Sequence, residues 1–203
     1  LSFAGSRIEK EFTLYVRGEP KKIEESDYTD CFFTYFSGEG YSYGEQVFFA
    51  ASQDGLNWTD LNDNNPVLTS DKGERGVIDP YIIRSPEGDK FYIIATDLKI
   101  HGGSGWEAAQ TAGSQCLMVW ESTDLVNWSE MRMVEVSAAI GAGCTWAPET
   151  TYDPLTGEYI VYWASKVAGD GYSKQRLYYC KTRDFYSFTD PEIMIDLEQS
   201  SID

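Results

Sequence analysis

The sequence predicts an all-β chain assembled from repeated four-stranded antiparallel units, and three observations carry that prediction. The segments Val47–Asp60, Leu117–Glu130 and Leu177–Asp190 align without a gap, reading VFFAASQDGLNWTD, LMVWESTDLVNWSE and LYYCKTRDFYSFTD. Each is an apolar run, a hydroxyl residue, a spacer, an Asp, three further residues and an aromatic. They begin at positions 47, 117 and 177, so the offsets are 70 and 60 residues, and strand-like units at a long period signify a repeat architecture. From Cys31 onward the apolar runs are short, rich in Val, Ile, Tyr, Phe and Trp, and bounded by Gly, Asp, Asn or Pro, which is the strand signature. No stretch sustains a helical period.

The elements follow in order. Residues 1–30 are charged and mixed, with only Phe12–Val16 strand-like, and read as a leader into the fold. Cys31–Leu68 supplies three strands of a unit that lacks its first strand. The first full unit opens at Val77-Ile-Asp-Pro-Tyr-Ile-Ile-Arg84 and turns at Ser-Pro-Glu-Gly-Asp, a strong hairpin signal. It continues through Phe91–Thr96, a Gly-rich loop over 99–114, the anchor strand from Leu117, and Arg132–Val136. The second full unit opens at Trp146-Ala-Pro-Glu-Thr-Thr-Tyr152, turns at Asp153–Gly157, and runs through Tyr159–Ala164, the anchor strand from Leu177 and Glu192–Ile195. Ser200-Ser-Ile-Asp203 echoes the opening of a further first strand. Four-stranded meanders repeated around an axis are the blades of a β-propeller, and residues 31–203 hold about half of a small one. The expectation is that missing residues or another chain complete it, because a part-propeller leaves open sheet edges and an uncovered core flank.

Composition sets bounds on partners. With 203 residues, 42% hydrophobic and 15% aromatic, the chain has enough apolar material for a sizeable core. Its formal net charge of −17 argues against nucleic acid and anionic membranes, which repel an acidic surface. No apolar run is long enough to span a bilayer. The first residue is Leu1 rather than Met, so upstream residues are expected and an unseen signal peptide is compatible with the sequence. Cys31, Cys116, Cys144 and Cys180 form no CxxC pair, and the sole histidine, His101, anchors no multi-histidine site. The thiols read as buried and free, with no metal site built from them.

The repeat also sorts the acids. Asp54, Asp124 and Asp184 recur in every unit and read as turn caps that bond backbone N–H groups. Trp58, Trp128 and Phe188 share one repeat position and read as core. In a propeller the first strands line the central channel, so Asp79, Glu149 and Asp203, one per unit and read here as sharing one register, converge on one funnel. Two or three such carboxylates are what glycoside hydrolysis requires, with base and acid about 6.5–9.5 Å apart in an inverting enzyme. The competing reading makes Asp79 and Asp203 turn caps and Glu149 an arginine partner.

The order and spacing of Ile78-Asp-Pro-Tyr-Ile-Ile83, Trp146-Ala-Pro-Glu149, the Ser/Thr-x-Asp-x-x-x-Trp/Phe anchors and Ser201-Ile-Asp203 resemble glycoside hydrolase family 43 over residues ~31–203. That resemblance implies a five-bladed propeller acting with inversion on arabinose-, xylose- or galactose-containing plant polysaccharides. It implies that Asp79 is the general base and that Asp203 orients the acid and raises its pKa. The family's acid is a Glu of the following blade, which these residues do not include, so the 203-residue piece alone is expected to be inactive. Glu149 stands where the family usually has Asp, and is assigned to substrate contact, with a role as acid kept as an alternative. Trp146 is placed at substrate stacking or in the inter-blade core. Asp97 could support the site from the end of a second strand. His101 could contact substrate, with a plain surface role competing. The resemblance implies a secreted, extracellular or periplasmic enzyme of bacterial type and leaves room for a structural calcium ion, while acid–base hydrolysis needs no cofactor.

Other readings remain distinct. A non-catalytic carbohydrate-binding propeller would lack the downstream acid. A scaffold of the Trp-Asp repeat type lacks its dipeptide signatures here. A fructan- or sucrose-acting furanosidase would open with Asn-Asp-Pro-Asn, unlike Val77-Ile-Asp-Pro80.

Overall fold

The computed structural model describes residues 29–202 and the backbone of a two-stranded ribbon, β1 (Ser2–Phe3) with β2 (Ser6–Arg7). The strand expected at Phe12–Val16 and the carboxylate of Asp203 lie outside the described residues. Three further sheets follow in chain order, each a simple antiparallel meander. The first holds β3 (Cys31–Tyr35), β4 (Phe48–Ser52) and β5 (Thr59–Asp60). The second holds β6 (Val77–Arg84), β7 (Phe91–Asp97), β8 (Cys116–Ser122) and β9 (Arg132–Glu135). The third holds β10 (Trp146–Asp153), β11 (Glu158–Ser165), β12 (Arg176–Thr182) and β13 (Glu192–Ile195). The strands predicted between Cys31 and Ile195 are therefore present, including the three-stranded first unit, whereas residues 200–202 form no strand.

Alternation of side chains in the second sheet shows how the units stack. Ile94, Leu117 and Val119 point into a cluster with Val161, Trp163, Cys180 and Phe185 of the third sheet. Their chain neighbours Ile93, Ala95, Met118 and Trp120 point the other way, onto Val47 and Phe49 of the first. A strand buried on both faces reads as a continuous apolar run, which is why YIIA and LMVW show no polar alternation. Both faces exclude water from full-length aliphatic side chains, each worth roughly 1.5–3 kcal/mol on burial.

The anchor turns are built identically. The hydroxyls of Ser52, Ser122 and Thr182 each accept the N–H three residues on, at 2.9 Å in every case. One carboxylate oxygen of Asp54, Asp124 and Asp184 accepts the N–H two residues on, again at 2.9 Å. Bonds from the following N–H groups and from Asn57 or Asn127 hold Asp54 and Asp124 well below the usual carboxylate range. The residue after each Asp takes a left-handed backbone: Gly55 at φ 72°, Leu125 at 64° and Phe185 at 58°.

Three expectations are corrected. Trp58 is 43% exposed and rests on Phe33, whereas Trp128 packs on Phe49 of the preceding sheet and Phe188 joins the core between the second and third sheets. The repeat position faces the preceding sheet, and within residues 29–202 no sheet precedes β3. A short helix, α1 (Gly105–Ala109), opens inside the Gly-rich loop, where no helix is expected from the sequence. It is too short to show a period. Of the cysteines, all free, only Cys144 and Cys180 are buried, while Cys31 is exposed on the outer face of β3.

Candidate active site at the inner strand starts

The first strands β6 and β10 begin with the same irregularity. Pairing with the second strand is regular at Ile78 with Thr96 and resumes at Tyr81 with Ile94, leaving Asp79-Pro80 in a bulge. In the third sheet it is regular at Trp146 with Ala164 and resumes at Glu149 with Tyr162, leaving Ala147-Pro148 in the same bulge. Asp79 (φ 49°) and Ala147 (φ 47°) both take the left-handed conformation, which costs a non-glycine residue on the order of 1–3 kcal/mol. Such bulges re-aim a side chain out of the strand's alternation.

This geometry corrects the register read from the sequence. Asp79 corresponds to Ala147, and Glu149 corresponds to Tyr81, two positions further along. The prolines Pro80 and Pro148 fix the alignment. Asp79 and Glu149 are therefore acids of two different repeat positions.

The surroundings of Asp79 come from three sheets. Thr96, fully buried at the end of β7, donates its hydroxyl to Asp79 Oδ2 at 3.4 Å and accepts the Ala147 N–H at 2.9 Å. Thr34 of β3 donates to the Pro80 carbonyl at 3.1 Å, tying the bulge to the first sheet. Glu149 faces its strand partner: Tyr162 donates its phenol to Glu149 Oε2 at 2.5 Å. That bond, with burial second, pushes the Tyr162 phenol up to about 12. Tyr81 is also raised, chiefly by burial and then by Glu149. With both phenols protonated at neutral pH, the Tyr162–Glu149 pair presents a donor-fixed carboxylate that can accept hydroxyl protons from a ligand.

Trp146 is 8% exposed and belongs to a small cluster with Ile78, Leu98, Ala109 and Cys144. Its ring meets Trp106 edge-on at 5.8 Å, and Trp106 is 46% exposed. Trp106, at the start of α1, is the aromatic that presents surface to solvent there. In the sequence the surrounding glycines mask the short helix that holds it.

Asp97 and His101 lie apart from Asp79, joined to each other through the turn at 73–75. Asp97 is 2% exposed, and its Oδ1 accepts the Glu74 N–H at 2.9 Å. A Cβ on Gly73 (φ 56°) would stand 2.1 Å from Asp97 Oδ2, so this close approach requires glycine. Burial raises Asp97 above the usual carboxylate range. His101 lines a cleft of about 540 Å³ with Glu74, Arg75, Lys99 and the Gly-Gly-Ser-Gly run at 102–105. Its ring Nδ1 lies 3.1 Å from the Glu39 carbonyl. Glu45, fully buried, accepts the N–H groups of Ile100 at 2.5 Å and His101 at 3.1 Å and pairs with Lys99 at 3.5 Å. Glu45 was missed from sequence; the one signal is an acid directly before the apolar run at Val47.

The chain is an all-β stack of antiparallel meanders with a carboxylate lifted from a bulge on a first strand, and the comparisons assign it to a family. Residues 26–203 match the family model described as a probable glycosyl hydrolase domain related to glycoside hydrolase family 43, and the chain belongs to that family. An α-L-arabinofuranosidase of Bifidobacterium longum subsp. longum is 31% identical over 98% of this chain, which spans only 20% of that relative's length. Among solved structures, an α-L-arabinofuranosidase of Fusarium graminearum matches with a TM-score of 0.55 at 17% identity, covering 84% of this chain and 46% of that one. A Bombyx mori β-fructofuranosidase of glycoside hydrolase family 32 matches with a TM-score of 0.52 at 19% identity, covering 82% and 34%. At these identities the two structures bear on the fold alone.

Proposed function

We propose that the chain is part of the catalytic domain of an inverting glycosidase that acts on arabinose-, xylose- or galactose-containing plant glycans, in the manner of an arabinofuranosidase or xylosidase. The three sheets are read as consecutive blades of one propeller, with β3, β6 and β10 toward its axis. The observation that carries the reading is the Asp79 carboxylate, lifted from β6 by a left-handed bulge and held by a buried hydroxyl. In this role Asp79 takes a proton from the attacking water. Asp203 orients the acid, Glu149 accepts hydroxyl protons of the sugar, and Trp146 with Trp106 forms an apolar wall beside the ring. Similarity to the arabinofuranosidase of Bifidobacterium longum favours a furanose substrate.

The test uses the full-length protein with aryl arabinofuranoside, xyloside and galactoside. Asp79→Asn should lower kcat by about 10²–10⁴-fold, the usual worth of a positioned base. Unchanged turnover would remove Asp79 from the mechanism, and sugar binding without hydrolysis by the unmutated protein would replace this reading with a binding module.

A further inference from the structure

We infer that Thr96 is a positioning residue for the Asp79 carboxylate and that it couples the aim of that carboxylate to the inner strand of the next sheet. The inference rests on the reading of Asp79 as base.

Two observations on the molecule carry it. Thr96 makes a three-point junction: it belongs to β7, donates to Asp79 Oδ2 at 3.4 Å, and accepts the Ala147 N–H at 2.9 Å. The Asp79 and Ala147 ends of that junction are left-handed bulge residues, so the hydroxyl links the two strained backbones that open β6 and β10. A hydroxyl has one proton, and taking the Ala147 N–H on its lone pair leaves that proton to point at the carboxylate. The bond favours the orientation of the carboxylate that keeps Oδ2 on the Thr96 hydroxyl.

The second observation separates this role from scaffold building. The position of Thr96 is repeated in the third sheet, where Ala164 stands opposite Trp146 just as Thr96 stands opposite Ile78. Both are fully buried. The same bulge at Ala147 thus forms with a methyl group on its own second strand, so a hydroxyl at that position of the sheet is not what shapes the bulge, while the Ala147 N–H is taken from across the sheets by Thr96. The hydroxyl occurs where the bulge residue is an acid. Its length of 3.4 Å fits a catalytic contact that tightens when substrate is bound.

The experiment is steady-state kinetics of the full-length enzyme carrying Thr96→Ala, Thr96→Ser and Thr96→Val, alone and combined with Asp79→Asn. Losing a hydrogen bond to a charged group should lower kcat roughly 10- to 100-fold while KM changes little. Thr96→Ser should recover most of kcat, because it restores the hydroxyl. In the Asp79→Asn background Thr96→Ala should have almost no further effect, since the two residues act as one unit. Thr96→Val, which keeps the shape, carries the test if the alanine variant does not accumulate. Wild-type kcat in Thr96→Ala or Thr96→Val, a serine variant as slow as alanine, or a full additional loss in the double variant would overturn the inference. If Asp79→Asn itself keeps full activity, the reading of the base fails. If it is inactive while Thr96→Ala is normal, only the role of Thr96 fails.

Discussion

Each repeated unit has two acid-bearing ends, and they differ in how strictly they repeat. At the anchor end Asp54, Asp124 and Asp184 each accept the N–H groups two and three residues on, the first of them at 2.9 Å in all three. At the inner end the backbone repeats but the side chains do not: one bulge carries Asp79 and the next Ala147, and one second strand carries Thr96 where the next carries Ala164. A turn cap satisfies backbone groups that every unit must satisfy, so each unit needs it. A reacting carboxylate is needed once, so its position is free to vary elsewhere. Regularity marks construction here, and departure from it marks chemistry.

The largest stability contrast lies within the anchor itself. Trp128 packs on Phe49 with ring centroids 5.7 Å apart, while its counterpart Trp58 is 43% exposed. Trp128→Ala should cost about 2 kcal/mol in thermal or denaturant unfolding, less than a fully buried aromatic because the ring is only partly buried. Trp58→Ala should cost about 0.5 kcal/mol in this chain. Equal losses would mean that the worth of the position does not come from the sheet it faces.

Next in size, Asp124→Asn separates construction from chemistry. It removes a carboxylate that accepts bonds from the Val126 and Asn127 N–H groups, the Asn127 side chain and the Ser122 hydroxyl. The melting temperature should fall by a few degrees, and kcat of the full-length enzyme should not move below the unfolding range. Asp79→Asn should do the reverse. A loss of kcat in Asp124→Asn at unchanged stability would erase the distinction between the two ends.

Much of the fold was legible because its signals are local. Turn residues, strand lengths and the anchor pattern each span a few positions, and they place the strands of β6 and β13 to the residue. The register of the inner acids was not legible in the same way. A bulge inserts residues without disturbing the apolar pattern, so Glu149 read as the counterpart of Asp79. Aligning on Pro80 and Pro148 instead sets Asp79 opposite Ala147. Glu45 was hidden for another reason: the N–H it receives from Ile100 comes from a loop 55 residues away. Trp58 read as core because a repeat position is assigned burial without asking whether a sheet faces it.

The smallest effect, and the sharpest in sign, separates the two ends by pH. Burial raises Asp97, whose Oδ2 has no hydrogen-bond partner among the described residues, so the folded state holds its proton more tightly than the unfolded chain. Its stabilising form is complete below the ordinary carboxylate value of about 4 and is lost as pH rises through the folded value. Asp124 is depressed, so its contribution is complete above that ordinary value and is lost as pH falls toward the folded one. Between about pH 2 and 7 the two variants must therefore diverge. Relative to the unmutated chain, Asp97→Asn should gain in melting temperature as pH rises, because only the parent then buries a charge. Asp124→Asn should show its deficit at neutral pH and lose that deficit as pH falls. Melting curves at matched ionic strength across this range test both slopes. Parallel curves for Asp97→Asn and its parent would mean that folding does not raise the Asp97 carboxyl, and would assign the whole acid sensitivity to the anchor turns.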